Sequence, residues 1–500
     1  MTDRNDPRLR HQPEPGWQVL DRDLNRISRV EYATSYVSQP LVAVGMAMVF
    51  VALAATWAAL VAGGGAGSLI VVVASAFAAY LALNIGANDV ANNMGPAVGA
   101  NALTMTGALV VAAICETAGA LIAGGNVVGT IASGIVAPSN FADSAVFVIA
   151  MMAALLSSAL WLNLATWLGA PVSTTHAIVG GVAGAGIAAA GFGAVDWGGM
   201  GRIALSWVIS PVMGGALAAG ALWVVHRLVI DRDDKIAAAR TWVPILIAVM
   251  SWAFGTYLAL KGLKHLFTIS FGQAMLLGVA CAILSWAASK PYIRRQSKGL
   301  ENRNKSLKVL FQLPLVLSAG LMSFAHGAND VSNAIGPLAA IVSITSHTDG
   351  NGAVTVPLWV MVIGALGISL GLMLFGPRLI RMVGAQITKL NAMRAYCVAL
   401  SAATTVIAAS GLGLPVSSTH IAIGGVFGVG FFREAVEARR MRQMADTVEL
   451  PSVAPEERQR RKLVRRSHFM TIIAAWIVTV PATALVSGAV FLVLRHLQAG

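Results

Sequence analysis

An eleven-residue segment that carries an aspartate occurs twice in this sequence. Residues 86–96 read Gly-Ala-Asn-Asp-Val-Ala-Asn-Asn-Met-Gly-Pro, and residues 327–337 read Gly-Ala-Asn-Asp-Val-Ser-Asn-Ala-Ile-Gly-Pro. The copies are identical at eight of eleven positions and begin 241 residues apart (327 minus 86). A repeat of this length predicts a chain built from two related halves.

The repeat lies in a chain that is too apolar for a water-soluble domain. Of its 500 residues, 57% are hydrophobic and only 11% are charged, although the formal net charge is +13. The basic residues gather in short polar stretches between long apolar runs, which indicates membrane topology rather than nucleic-acid binding. We therefore expect an integral membrane protein that contacts membrane lipids and has no nucleic-acid partner.

Apolar runs of the length that crosses a bilayer follow one another along the chain. Before the second motif they cover about 41–62, 69–87, 102–124, 145–168, 172–192, 203–225, 242–260 and 270–288, and the ninth begins near 309. The strongest basic stretch, 290–308, is expected to be cytoplasmic. The first forty residues contain no cleavable signal peptide, so the first span directs insertion. With every basic stretch inside, the N-terminus is cytoplasmic and the C-terminus is outside.

The span count also predicts how the two halves are oriented. The second span enters the first motif and the ninth enters the second, so the two motif helices run in opposite directions. Inverted repeats of this kind are typical of secondary transporters. The expected divisions are a cytoplasmic tail 1–40, a first half 41–225, a connecting segment 226–308, a second half 309–432, a charged cytoplasmic loop 433–468 and a final span 469–500.

The aspartates of the two motifs, Asp89 and Asp330, are costly inside a membrane unless they face a cation or a wet cavity. The neighbouring amides and broken-helix carbonyls would relieve that cost, since we expect the Gly-Pro pairs to interrupt the helices. An oxygen-rich nest with a carboxylate suits Na⁺, and the same carboxylate could carry a proton instead. The alternative is that each aspartate only caps a helix. The expected cation ligands are Asn88, Asp89, Asn92, Asn329, Asp330 and Asn333.

A second element also recurs, as Pro-Val-Ser-Thr-Thr-His at 171–176 and Pro-Val-Ser-Ser-Thr-His at 415–420. Proline followed by consecutive hydroxyls is typical of a helix N-terminus, whose free N–H groups and dipole attract anions. The alternative is that the hydroxyls bond back to their own helix and only kink it. The expected anion-binding hydroxyls are Ser173, Thr174, Thr175, Ser417, Ser418 and Thr419.

Four further titratable residues lie in or beside these apolar segments. His176 and His420 end the hydroxyl runs and His326 precedes Gly327; a histidine in such a place is more often a packing residue than a proton carrier. Glu116 is a third intramembrane acid and is therefore a candidate for proton transfer or coupling.

Together, the paired Gly-Ala-Asn-Asp-Val-x-Asn and Pro-Val-Ser-[Ser/Thr]-Thr-His elements resemble the signatures of the PiT family of cation-coupled inorganic phosphate transporters. The resemblance covers both halves, roughly 70–195 and 309–431. It implies an all-α fold of about 12 transmembrane helices in two inverted repeats, with broken or re-entrant helices at the midplane. It also implies a homodimer in the plasma (inner) membrane that moves phosphate with Na⁺ or H⁺, without enzymatic activity or cofactor.

The resemblance also suggests roles for individual residues. Asp89 and Asp330 fall on the family's substrate and cation site, and the hydroxyl runs on its phosphate-binding tips, so phosphate is expected at both groups. Glu116 matches the family's first-half glutamate. In the second half, some relatives have a glutamate where this chain has Ala399, which puts in doubt any scheme that needs two symmetric glutamates.

Charge arithmetic constrains the transport reaction. Moving HPO₄²⁻ inward against 100 mV costs about 4.6 kcal/mol, since each charge contributes about 2.3 kcal/mol. Two cations cancel that cost, and Asp89 and Asp330 offer two anionic positions for them, one from each half. The hypothesis is therefore symport by alternating access, with Na⁺ at the two aspartates or H⁺ in its place. Sulfate or another tetrahedral oxyanion remains an alternative substrate, and a receptor or channel an alternative class.

Overall fold

In a computed structural model, the residues described are 41–63, 67–170, 172–262, 269–346, 356–386, 390–445 and 466–499. The predicted tail 1–40, Pro171 and most of the predicted loop 433–468 lie outside them. The chain divides into a unit of residues 1–49, whose described part is one helical stretch, and a unit of residues 50–500 that contains everything discussed below. The described part of the chain is helical and contains no named strand.

Fifteen α-helices can be named in chain order. The first seven are α1 Leu41–Ala62, α2 Ser68–Gly99, α3 Met105–Ala123, α4 Gly125–Ala132, α5 Ser144–Leu168, α6 Thr174–Ala190 and α7 Trp197–Val225, which a π-turn at His226–Ile230 extends. The others are α8 Lys235–Lys261, α9 Phe271–Gln296, α10 Asn304–Leu310, α11 Gln312–Thr345, α12 Leu358–Gln386, α13 Ala392–Gly411, α14 Ser418–Ala445 and α15 Arg466–Ala499.

Ten of the described helices are long and apolar enough to cross a membrane, and the bent pair α10–α11 makes eleven. The two members of this pair meet at an angle of 49°. The predicted span 172–192 is α6, an apolar helix of only 17 residues. The protein is therefore a multi-pass, all-α membrane protein, close to the expected twelve spans.

The two halves pack against each other through reciprocal close contacts. Gly86 of α2 lies against the carbonyl of Ile368 in α12, and Gly327 of α11 lies against the carbonyl of Glu116 in α3. A Cβ at either glycine would strike that backbone, so the motif begins with glycine because two helices touch there. Because each half gives the other the same contact, the repeats are related by a pseudo-twofold axis.

The hydroxyl-run helices follow the same symmetry. Gly180 of α6 lies beside the backbone of Val480 in α15, and Gly424 of α14 lies beside the backbone of Pro211 in α7. Each repeat therefore contains five principal helices, α2, α3, α5, α6 and α7 in the first and α11, α12, α13, α14 and α15 in the second. The hairpin α8–α9 lies between them in sequence.

The Gly-Pro pairs do not break the motif helices, so that expectation was wrong. Helix α2 continues through Pro96 to Gly99, and α11 continues through Pro337 to Thr345. A proline removes only one N–H donor from the helical ladder, and the surrounding helices of a membrane bundle can hold such a helix together. The interruptions lie instead at the bend between α10 and α11 and where α6 and α14 begin.

Candidate functional site

The aspartates of the two motifs meet at one hydroxyl group. Thr174, the first residue of α6, donates through Oγ1 to Oδ2 of Asp89 (3.0 Å) and to Oδ2 of Asp330 (3.3 Å). Both aspartates lie well inside continuous helices and are 0% exposed, so neither is a helix cap. The structure therefore brings the two halves' carboxylates and a helix N-terminus into one cluster.

The second hydroxyl run reaches the same carboxylates from the other half. Ser418 Oγ donates to Asp330 Oδ2 (3.3 Å), and Thr419 Oγ1 donates to Asp89 Oδ1 (3.1 Å). Hydroxyls from α6 and α14 thus converge on both aspartates, and each aspartate accepts hydrogen bonds from both halves.

Two of the predicted asparagines connect the halves around this cluster. Asn92 Nδ2 donates to Thr419 Oγ1 (2.8 Å), and Asn333 Nδ2 donates to Thr175 Oγ1 (3.2 Å). In each case a motif helix of one half holds the hydroxyl run of the other. The amides position the hydroxyls, and their oxygens stay free to ligate a cation.

The asparagines directly before the aspartates occupy matching positions in the two halves. Asn88 donates to Thr166 Oγ1 (3.2 Å) on α5, and the Asn329 amide lies 2.8 Å from Ser410 Oγ on α13. The Asn329 amide satisfies its neighbours when its nitrogen donates to Asp330 Oδ1 (2.9 Å) and its oxygen accepts from Ser410 Oγ. Each asparagine therefore links the motif helix to another helix of its own half.

His326 is a member of the cluster that the sequence reasoning treated as a packing residue. Its Nε2 lies 3.0 Å from Asp330 Oδ2 and 3.4 Å from Asp89 Oδ2, and its Nδ1 lies 3.3 Å from Glu116 Oε1. All of these side chains are at most 1% exposed. The available signal was its position one helical turn before Asp330, where an i,i+4 pair faces one side of the helix. The other motif has Ile85 at this place, so the histidine breaks the symmetry.

Glu116 joins the cluster through that histidine and through Asn93, whose Nδ2 donates to its Oε1 (2.8 Å). Its structural counterpart in the second half is Ile368. Gly119 lies against the carbonyl of Phe324 and Gly371 against that of Leu83, and Phe324 and Leu83 are again 241 residues apart. Helix α3 therefore matches α12 with an offset of 252 residues (371 minus 119).

The comparison of Ala399 with Glu116 was therefore wrong, since Ile368 is the counterpart of Glu116. Ala399 lies on α13, which matches α5 rather than α3, so a glutamate at 399 would not be the symmetry mate of Glu116. Ile368 supplies no charge, and the third carboxylate of the cluster comes from the first half alone. The sequence did not show that α3 corresponds to α12, because that match rests on contacts between glycines of one half and backbone carbonyls of the other.

Three of the predicted hydroxyls make backbone contacts. The Oγ atoms of Ser173 and Ser417 accept from the backbone N–H groups of His176 (3.2 Å) and His420 (3.3 Å), as helix N-caps do. Thr175 Oγ1 donates to the carbonyl of Val416 (3.0 Å). The alternative of local bonding thus describes the two serines, whereas Thr174, Ser418 and Thr419 face the carboxylates.

The two remaining histidines pack against one another. The rings of His176 and His420 lie 4.4 Å apart in an edge-to-face arrangement, and Trp207 lies 3.9 Å from the His176 ring. These pseudo-equivalent residues bring the starts of α6 and α14 together, so their role is to position the hydroxyl runs.

The cluster has the composition of a cation site. One ligand atom each from Asp89, His326 and Asp330 can lie within 4.8 Å of the others, and all three residues are buried. The hydroxyls of Thr174, Ser418 and Thr419 add oxygen ligands, and Na⁺ prefers such oxygens. The cluster offers three carboxyl groups and one imidazole, so its acidic groups outnumber its basic one.

The cluster is closed to solvent in this conformation. Thr174 is 3% exposed, and Asp89, Asp330, Ser418 and Thr419 are at most 1% exposed. A solute can therefore reach the carboxylates only after helices of the two halves move apart.

Comparison with known proteins agrees with this architecture. Residues 85–487 match the model of a family described as the phosphate transporter family. A Helicobacter pylori protein named as a candidate phosphate permease is 41% identical, over 95% of this chain and 99% of its own, and one of Pyrococcus abyssi is 36% identical over 83% and 95%. A solved structure described as the sodium-dependent phosphate transporter superposes with a TM-score of 0.77, with 32% identity over 85% of this chain and 99% of its own.

Proposed function

The chain belongs to the phosphate transporter family, and we propose that it imports inorganic phosphate by symport with Na⁺ through an alternating-access cycle. It is a membrane transporter and not an enzyme. The observation that carries the proposal is the shared cluster, in which the hydroxyl-run helices of both halves donate to both aspartates.

The cluster explains why phosphate needs accompanying cations. The N-termini of α6 and α14 favour an anion, but their hydroxyls lie 3.0–3.3 Å from Asp89 and Asp330. Two unit charges at 4 Å repel by about 4 kcal/mol at an effective dielectric constant of 20. Phosphate on the hydroxyls would meet that repulsion from both carboxylates, so Na⁺ must occupy the cluster first.

Binding sites for both solutes follow from this order of events. Phosphate docks on Thr174, Ser418 and Thr419, with Ser173, Thr175 and Ser417 holding the helix starts. Na⁺ binds between Asp89 and Asp330, with the motif asparagines Asn88, Asn92, Asn329 and Asn333 around it. Glu116 is placed as the coupling carboxylate, because it reaches the cluster through His326. Two Na⁺ ions balance the charge of HPO₄²⁻.

The closed cluster supports an alternating-access cycle with an occluded state. In that state phosphate and Na⁺ are bound, the charges of the aspartates are neutralised, and the site is closed to both sides of the membrane. At the reciprocal contacts, Gly86 with Ile368 and Gly327 with Glu116, backbone packs directly on backbone with no side chain between. We propose that the halves shift relative to one another along these contacts.

We place the protein in the plasma (inner) membrane as a homodimer with its N-terminus in the cytoplasm. The proposed first half is 41–225 and the connecting segment is 226–308. The second half begins at 309 and takes in the final span beyond the predicted boundary at 432, because α15 matches α7.

Uptake of labelled phosphate into proteoliposomes tests the proposal. One set carries an inward Na⁺ gradient and the other an inward proton gradient, each with and without excess unlabelled sulfate. We expect phosphate to accumulate with the Na⁺ gradient and sulfate not to compete.

Each other outcome would change the proposal. Accumulation driven only by protons would replace Na⁺ by H⁺, and competition by sulfate would broaden the substrate to tetrahedral oxyanions. Phosphate flux that only equilibrates, whatever the gradient, would overturn symport in favour of a channel.

A further inference from the structure

A basic cavity lies away from the carboxylate cluster, at the end of the bundle that the positive-inside rule predicts to be cytoplasmic. It has a volume of about 500 Å³ and is lined by the end of α7 with its π-turn, by α10, by the start of α13 and by α14. None of the residues that line it belongs to the transport cluster. The cavity therefore needs an explanation of its own.

The charges around the cavity are mostly positive. Lys305 and Lys308 of α10, Arg394 of α13 and Arg433 of α14 line it, against the single carboxylate of Glu437. Within the described ranges, no carboxylate oxygen forms an ion pair with any of these four cations. Three helices thus bring four unpaired cations to one concave surface, which is the electrostatic requirement for binding an anion.

The two arginines make the cavity more selective than a charged surface loop. Arg394 and Arg433 are half-buried, whereas Lys305 and Lys308 are exposed at the rim. A guanidinium fork matches the oxygens of a phosphate group, often through two parallel hydrogen bonds. Arg394 also lies in the first turn of α13, where the helix dipole favours an anion.

An apolar wall completes the cavity. Leu222, Ile230, Met393 and Val436 line it beside the four cations. A basic pocket between membrane helices that also has an apolar side suits the phosphate group of an anionic phospholipid with its glycerol carbons. The basic side alone would suit free phosphate.

We propose that this cavity is a second anion site, which binds a phosphate group outside the transport pathway. A phospholipid headgroup and free phosphate on the cytoplasmic side are the two sources of that group. In either case the ligand ties α10, α13 and α14 together. Because α11 follows α10 and carries Asp330, occupancy would bias the position of the second half.

The test measures thermal unfolding of the purified full-length protein in detergent. Three ligands are titrated: dioctanoyl phosphatidylglycerol, the zwitterionic dioctanoyl phosphatidylcholine, and inorganic phosphate. The site variant is Lys305→Gln/Lys308→Gln, and Lys305→Arg/Lys308→Arg keeps the charge. The matched control Arg295→Gln/Lys298→Gln removes two exposed cations of the same basic stretch that do not line the cavity. Arg433→Gln repeats the test from a different helix.

If the source is a lipid, phosphatidylglycerol stabilises the wild type, the charge-keeping variant and the matched control. Lys305→Gln/Lys308→Gln then needs at least about tenfold more lipid and Arg433→Gln about fivefold more, since each lysine or arginine near an anionic surface contributes on the order of 1 kcal/mol. If the source is free phosphate, the variants that lack cavity cations need more inorganic phosphate for the same rise in unfolding temperature. Phosphate bound at the transport cluster stabilises every variant equally, so it does not affect this comparison. Identical titrations for all five proteins with both anions, or equal stabilisation by phosphatidylcholine, would overturn the proposal.

Discussion

Thr174 of the first half shares its one hydroxyl proton between Asp330 of the second half, 156 residues away in sequence, and Asp89 of its own half. One hydroxyl at the start of a helix therefore holds together two carboxylates that belong to opposite repeats. The N-terminus of α6 favours the negative charge of both carboxylates, so phosphate can join them there only if cations bind as well.

Thr174→Val keeps the shape of the side chain and removes the shared donor. A hydrogen bond to a charged group is worth about 1.5–3 kcal/mol, so we expect phosphate uptake to fall roughly tenfold to a hundredfold at limiting phosphate. The control is Thr405→Val, because Thr405 is also buried but donates to the Ser401 carbonyl of its own helix. Equal uptake by the two variants would mean that Thr174 has no part in binding.

Asp89→Asn and Asp330→Asn should each abolish Na⁺-driven accumulation. Losing one carboxylate beside a cation removes about 4 kcal/mol of attraction, or on the order of a thousandfold in Na⁺ affinity. The measurement is the Na⁺ dependence of initial uptake rates in proteoliposomes. Asp143→Asn serves as the matched control, because Asp143 is an exposed N-cap of α5 and asparagine caps equally well. Wild-type Na⁺ dependence in both site variants would contradict the assignment.

His326→Gln should destabilise the protein in Na⁺-free buffer. The imidazole lies among three buried carboxylates, and leaving buried charges without a partner costs about 3–5 kcal/mol. We expect the unfolding temperature of the variant to recover as Na⁺ is added, because the cation takes the place of the imidazole. His176→Gln, outside the carboxylate cluster, should gain no more stability from Na⁺ than the wild type does, because Na⁺ binding at the intact site stabilises both. If Na⁺ stabilised both variants equally, His326 would be only a packing residue.

Gly86→Ala should prevent stable assembly of the two halves. The new Cβ would strike the carbonyl of Ile368, and overpacking against backbone costs about 3 kcal/mol or more. Gly95→Ala is the control on the same helix, since no atom lies within 4 Å of a Cβ there. That change should be neutral or stabilise by about 0.5–1 kcal/mol through helix propensity. Yields of folded protein and unfolding temperatures compare the two, and similar values would show that the helices can separate at Gly86.

The sequence predicted the parts of this protein whose signals are local. Hydrophobic run lengths identified the spans because a helix must be long enough to cross the bilayer. The repeated motif identified two halves, and the intramembrane cost of Asp89 and Asp330 marked them as site candidates. The predicted helix breaks at the Gly-Pro pairs were wrong. Packing by neighbouring helices keeps α2 and α11 helical through Pro96 and Pro337, although each proline removes one backbone hydrogen-bond donor.

Contacts between residues far apart in the chain could not be predicted from local sequence patterns. That Thr419 bonds to Asp89, 330 residues away, and that Thr174 bonds to both aspartates depends on how the halves interlock. The place of His326 among three carboxylates, and the pairing of Glu116 with Ile368 rather than Ala399, depend on the same interlocking. The sequence by itself determined a duplicated membrane protein with an anionic motif and a hydroxyl motif in each half. Only the tertiary structure merged them into one cluster, because the pseudo-twofold packing of α2 and α11 sets the distances between the halves.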